Sequence, residues 1–260
     1  MSEKTVIVEK KGSIATIILN RSNALNALND VLADDFLEAL LEVEKDPEVR
    51  VVVLTGKGRA FCAGGDLFHL VQIKNSVEAK RFIQLAGKLI KLIMGMDKPF
   101  IAMVNGVAAG AGFNFALACD IIFCAKSAKF IQSFANVALV PDCGGNYLLP
   151  KAVGLHKAKE LMFTADAIDS ATALDLKIVN YVVEDSELEE KTYKFAERLA
   201  KSAPFAIASM KKMINRSFEV SLETMLELEE DLQSLCLNTE DHKEGVAAFK
   251  DKRPPAFKGR

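Results

Sequence analysis

Short apolar strands alternate with amphipathic helices over residues 1–198, and residues 199–260 read as almost continuous helix, so the sequence predicts an α/β protein with a helical C-terminal region. Three observations carry this. The first residues alternate apolar and polar with strand period, in TVIVEKKG and again in IATIILN after a glycine turn. Residues 30–46 (DVLADDFLEALLEVEKD) bring Val31, Leu32, Phe36, Leu40 and Val43 near one helical face. VRVVVLTGKG and PFIAMVNG are apolar runs too short for helices and suited to buried strands.

Taken in order, Asn29 offers a side-chain oxygen to the free amides that open the first helix. VRVVVLTGKG runs into a turn at FCAGGDL, and residues 77–97 form a second amphipathic helix that stops at Pro99. PFIAMVNG leads through glycines into the helical FNFALACD, and IIFCAKSAKFIQ supplies one or two short strands. From about residue 155 the chain is mostly helical, with a brief strand at VNYVVE. After Asp185 it continues as SELEEKTYKFAERLAKS, APFAIASMKKMINRSF, SLETMLELEEDLQSLCLNT and EDHKEGVAAFKDK. No low-complexity linker separates residues 1–198 from 199–260, so the two parts are expected to pack together, with the Met and Leu positions of the last helices in core or oligomer contacts.

Composition narrows the function. A formal charge of −2 gives no basic field for nucleic acid. Apolar runs are broken by Asn, Asp, Lys or Gly before the length a bilayer requires, and the charged start MSEKTVIVEKKG is no signal peptide. Five cysteines without a CxxC pair fit reduced thiols in a cytoplasmic protein and speak against a metal site.

The chemistry concentrates at glycine-rich turns. Ala63-Gly64-Gly65-Asp66 and Gly110-Ala111-Gly112 each follow a strand and open a helix, where free amides and the positive helix end face one way. Two such amides aimed at one carbonyl oxygen form an oxyanion hole. Either turn alone is better explained by a tight turn or close packing, and neither matches a phosphate loop or a dinucleotide fingerprint. A third glycine turn, LVPDCGGNYLLP at residues 139–150, sets Asp142 in apolar company, as a proton carrier or as a turn residue bonding its own backbone.

LNRSNALNAL, RAFCAGGDL, VNGVAAGAGFNFALACDI and LVPDCGGNYLLP, in this order, resemble four signatures of the enoyl-CoA hydratase/isomerase (crotonase) superfamily. The likeness runs through AVGLHKAKELMFTADAIDSATALDLKIVNYVV to the KEGVAAFKDKRPPAF tail. It implies a spiral of ββα units with a helical trimerisation region, hence a homotrimer or a dimer of trimers. It also implies an acyl-CoA thioester as substrate and no other cofactor. The thioester oxygen would lie between the amides of Gly65 and Ala111, beside Ala63 and Gly110. Asp66 and Leu67 would flank the CoA moiety, with Arg21 at its polar rim. Phe249 and Lys252 would approach the nucleotide end, from a neighbouring subunit if not their own.

The family's hydratases hold a water between two glutamates, and at those positions this chain has Asn114 and Phe134. An amide is no general base and a benzyl group moves no proton, so hydration loses both of its usual groups; Asn114 is left to bond a polar substrate group or to cap the adjacent helix. The single acid of the PDCGG segment resembles the isomerases of the superfamily, the epoxyphenylacetyl-CoA isomerase branch in particular. One carboxylate suffices for a 1,3-proton shift. Phe134, Phe113, Val137 and Leu139 are expected to make an apolar pocket that raises the acid's pKa and excludes water. The expectation is an acyl-CoA isomerase acting through Asp142. The alternatives are a hydratase that recruits another acid and a non-catalytic acyl-CoA binder. His69, His156 and His242 read as surface or helix-end residues, and Cys62 and Cys143 border the site without a base to activate them.

Overall fold

The computed structural model describes residues 4–260. Its N-terminal hairpin is β1 (Val6–Lys11) and β2 (Ile14–Leu19), followed by α1 (Asp30–Lys45). Three ββα units come next. The first has β3 (Val51–Gly56), β4 (Ala60–Cys62), the short α2 (Leu67–Leu70) and α3 (Ser76–Gly95). The second has β5 (Phe100–Val104), β6 (Val107–Ala109) and α4 (Ala111–Ala118). The third has β7 (Ile121–Ala125), β8 (Lys129–Ile131), a 3-10 turn (Ser133–Val137) and α5 (Gly145–Val153). Then follow α6 (Leu155–Thr164), β9 (Ile168–Asp169), α7 (Ser170–Asp175), β10 (Tyr181–Val183), α8 (Leu188–Ala200), α9 (Pro204–Arg216), α10 (Leu222–Leu237) and α11 (Glu240–Asp251).

The long strand of each unit joins one sheet, ordered β1-β2-β3-β5-β7-β10, and the short strand joins a second, ordered β4-β6-β8-β9. Apart from the β1–β2 hairpin the first sheet is parallel, and β3 and β5 are buried along their whole length, which is why their sequences do not alternate. In the second sheet β4, β6 and β8 pair in parallel, so the three turns that leave their C-terminal ends lie side by side. This spiral of ββα units places the site.

Local chemistry explains the helices. Asn29 accepts from the Leu32 amide at 3.0 Å, and α1 buries Leu32, Phe36, Leu40 and Val43. Val31, expected on that face, is 56% exposed; it lies on the first turn, off the stripe that meets the sheet. Asn75 caps α3, which spans 76–95 rather than 77–97 and turns Phe82, Ala86, Leu89, Ile90 and Ile93 inward.

Of the last three helices, α9 and α11 are tied down by polar groups. Lys211 of α9, 7% exposed, donates to the carbonyls of Ile93 (2.8 Å) and Lys98 (3.1 Å) and pairs with Asp120 at 2.8 Å. Asp120 also accepts from the Phe100 amide at the start of β5. Burial raises its carboxyl while Lys211 and that amide pull the other way. Asp241 of α11 accepts from the amides of Lys258 and Gly259, and Arg50 donates to the Phe257 carbonyl, fastening the tail. α10 buries no residue, and Ile214, Phe218 and Leu222 stand exposed around it. We propose that the core and the C-terminal helical region divide at the turn after Ala200, beside the 198/199 boundary. No helix among the described residues is long and apolar enough to cross a membrane.

Candidate active site

The turns after β4, β6 and β8 enclose a cavity of about 670 Å³. Ala63, Gly65 and Leu67 come from the first turn and Gly110 and Ala111 from the second. Ser133, Phe134, Val137, Leu139 and Asp142 come from the third, and the far wall is built by α2 and α3.

The first two turns touch because they lack side chains. Gly64 has φ +97°, and a Cβ there would sit 2.9 Å from the Ala109 carbonyl oxygen and 3.6 Å from the Ala111 nitrogen. A Cβ on Gly112 would lie 2.1 Å from the Cys62 carbonyl oxygen, so α4 can approach β4 only with glycine there. Leu28 locks the first turn by donating to the Gly64 carbonyl (2.7 Å) and accepting from the Asp66 amide (2.9 Å). That pairing leaves the Gly65 N–H without an acceptor among the described residues. Ala111 is the first residue of α4, and its N–H likewise has none. Two unpaired main-chain donors therefore line one cavity.

Asp142 is the only carboxylate among the described residues lining it; the other charged lining residue is Lys74. Burial raises the Asp142 carboxyl above the usual range, and hydrogen bonds from the Cys143 thiol and its own amide offset only part of that. Its Oδ1 is buried without a partner among the described residues. An acceptor lone pair is thus held in an apolar surround, the environment of a poised acid–base group.

Several expected site residues lie elsewhere. Asn114 is wholly buried and turned away from the cavity, donating to the Asp142 main-chain carbonyl and accepting from Gln132. It has no face for a substrate, because its position on α4 points at the loop before α5. Phe113 is also absent from the lining: it is 1% exposed and packs on Phe130 with ring centroids 5.2 Å apart. Arg21 and Asp66 stand beside the cavity rather than in its wall. They pair at 3.0 Å, Arg21 donates to the Ala27 carbonyl, and Asp66 caps α2 through the amides of Phe68 and His69. Burial works against the Asp66 carboxylate, but Arg21 and those amides hold its pKa below the ordinary value. Phe249, 85% exposed, lines a separate groove among the C-terminal helices, and Lys252 ends α11; neither reaches this cavity within its own chain. Burial pushes the Cys62 thiol up to about 12 and that of Cys143 well above its usual range, and neither lines the cavity. His69 sits in α2 with its ring against Phe82 and its Nε2 3.3 Å from Asp30.

The enoyl-CoA hydratase/isomerase family model matches residues 9–260. The chain belongs to the enoyl-CoA hydratase/isomerase family. Relatives confirm the extent of the match. It is 37% identical over 262 residues, the whole of both chains, to the short-chain-enoyl-CoA hydratase of Clostridium acetobutylicum. It is 38% identical over 261 residues, 97% of each chain, to the 1,2-epoxyphenylacetyl-CoA isomerase of Escherichia coli. The crystal structure of an enoyl-CoA hydratase from Bacillus anthracis superposes with a TM-score of 0.95 at 32% identity, covering 98% of this chain and 100% of that one. The family and its ββα spiral are thereby shown, and with them an enzyme. The narrower likeness to the isomerase branch is not selected, since a hydratase and an isomerase are equally near.

In this family member the sequence reading missed the wall formed by Leu70 of α2, Ile73 of the segment after it, and Phe82 and Ile83 of α3. Ile83 carried a faint signal: it falls off the buried stripe of α3 and is 41% exposed. Ser133 and Asn136, also in the lining, carried none.

Proposed function

We propose that this enzyme is an acyl-CoA isomerase in which Asp142 carries a proton between two carbons of a thioester. The thioester oxygen is held by the N–H groups of Gly65 and Ala111, each worth about 3–4 kcal/mol to a developing enolate. Asp142 removes a proton from C2 of a 3-enoyl thioester, the electrons delocalise into a dienolate, and the same carboxyl returns the proton at C4. The double bond moves to C2–C3 and no atom is gained or lost. The observation that carries this reading is the solitary carboxylate of the cavity, with an unpaired oxygen and a raised pKa. Phe134, 8% exposed and lining the cavity, stands where a second acid would be needed to activate water.

A second reading is hydration of a 2-enoyl thioester. The relatives' names favour it, hydratases being more numerous among them than isomerases. Incubation in deuterium oxide with 3-enoyl-CoA and 2-enoyl-CoA esters, followed by mass spectrometry, separates the two. Isomerisation with deuterium uptake that vanishes in Asp142→Ala supports the isomerase; rapid formation of 3-hydroxyacyl-CoA that survives this change supports the hydratase. Binding without exchange over a panel including aromatic acyl groups points to the inert binder.

We further propose a homotrimer or dimer of trimers, because the C-terminal helical region leaves large apolar side chains exposed, Ile214, Phe218, Leu222 and Phe249 among them. In that assembly Phe249 and Lys252 would serve a neighbour's CoA site, with Arg21 and Asp66 near the polar end of their own. Five unpaired cysteines suit a cytoplasmic setting.

A further inference from the structure

We propose that Asn114, backed by Gln132, is a positioning residue that sets Asp142 against the Ala111 amide; this rests on Asp142 being the proton carrier. Asn114 lies in the first turn of α4, the helix whose first N–H is that of Ala111. Its Nδ2 donates to the Asp142 main-chain carbonyl at 2.8 Å, and its Oδ1 accepts from Gln132 Nε2 at 2.8 Å. One rigid helical turn therefore spans from the donor that holds the thioester oxygen to the backbone of the group that moves the proton.

The orientation of this amide has a single solution. The Asp142 carbonyl can only accept, so Nδ2 must face it, and Oδ1 is then turned to Gln132. Asn114 is 0% exposed and Gln132 1%, so bulk water does not reach this pair. Gly145 completes the device: a Cβ there would come within 2.5 Å of Nδ2, so only glycine lets the loop close on Asn114. The Gly145 amide also donates to the Asp142 carbonyl, at 2.9 Å. The position therefore requires a donor. A carboxylate at 114 would set oxygen against oxygen unless it were protonated.

Asn114→Asp keeps size and exchanges that donor for a titratable group. The other ionisable groups around it are Asp142 itself, before α5, and the Cys62 and Cys143 thiols, both kept protonated by burial. The test measures double-bond migration and deuterium exchange with 3-hexenoyl-CoA across pH, for wild type, Asn114→Asp, Gln132→Met and Asp142→Asn, with thermal melts to verify folding. A misplacement near 1 Å costs about a hundredfold in rate. Asn114→Asp is expected to lose about ten- to a hundredfold in kcat at the alkaline end with KM within about threefold. Its ratio to wild type should recover as pH falls and the introduced carboxyl gains the proton it needs to donate. Gln132→Met is expected to lose kcat by a smaller factor, with no such pH trend. A folded Asn114→Asp with wild-type kcat at every pH overturns the inference, as does a loss that does not vary with pH. If that variant does not fold, Gln132→Met decides alone, and wild-type kcat there overturns it. Exchange that persists in Asp142→Asn, or a wild type that gives none, instead overturns the assignment of Asp142.

Discussion

Alanine at position 64 would test whether the two glycine turns act as one oxyanion hole. Gly64 has φ +97°, where a Cβ would lie 2.9 Å from the Ala109 carbonyl oxygen and 3.6 Å from the Ala111 nitrogen. A backbone forced into that region costs about 1–3 kcal/mol. The obstacle is main chain, so the contact is relieved only by parting the turns, which carries the Gly65 N–H away from the oxygen it should hold. Loss of one such donor costs about 3–4 kcal/mol, or about 100- to 1000-fold. We expect Gly64→Ala to lower kcat and kcat/KM together by about that factor. At about 2–4 °C per kcal/mol for a chain of this size, Tm should fall by about 2–12 °C. Gly87→Ala is the control: a Cβ there meets nothing within 4 Å, and a helical glycine replaced by alanine should gain about 0.5–1 kcal/mol. The assay is double-bond migration on a 3-enoyl-CoA ester beside a thermal melt. Wild-type kcat in a folded Gly64→Ala would refute the argument.

Asp142→Asn should lose about 10²- to 10⁴-fold in α-proton exchange. It should also raise Tm at neutral pH, because burial raises the folded-state pKa of Asp142 and its ionisation above the unfolded value costs stability. In wild type the acid limb of the rate profile should lie above that of an ordinary aspartate, since the base must be ionised to act; a limb in the usual carboxylate range would contradict the burial argument. Lys211→Met should destabilise by about 3–5 kcal/mol in denaturant titrations, because it leaves Asp120 buried and unpaired, and adding Asp120→Asn should recover part of that loss. Asn29→Ala should cost about 1 kcal/mol through the lost cap on α1, with activity unchanged.

Local signals in the sequence survived into the fold where one residue and its near neighbours decide the outcome. The Asn29 cap, the stripe of α1, the end of α3 before Pro99 and the glycine turns are all of this kind. The three-residue strands β4 and β6 were not legible, because they are too short for alternation and exist only by pairing with each other and with β8. α5 was hidden by Pro150 and the glycines before it, which by themselves signal a turn. Asn114 was matched to the cavity through the family's motif and Phe113 was expected in its apolar wall, yet the phase of α4 sends one to the Asp142 loop and the other to Phe130.

What the residues alone determined was the inventory: glycine turns able to spare amides and one acid in apolar company, to which the family resemblance added Asn114 and Phe134 at the positions of the hydratase glutamates. Tertiary structure decided their meeting, since parallel pairing of three short strands brings turns distant in the chain to one cavity. It also decided which side chains face that cavity, because direction depends on how each helix is rotated against its sheet, a property no short stretch of sequence contains.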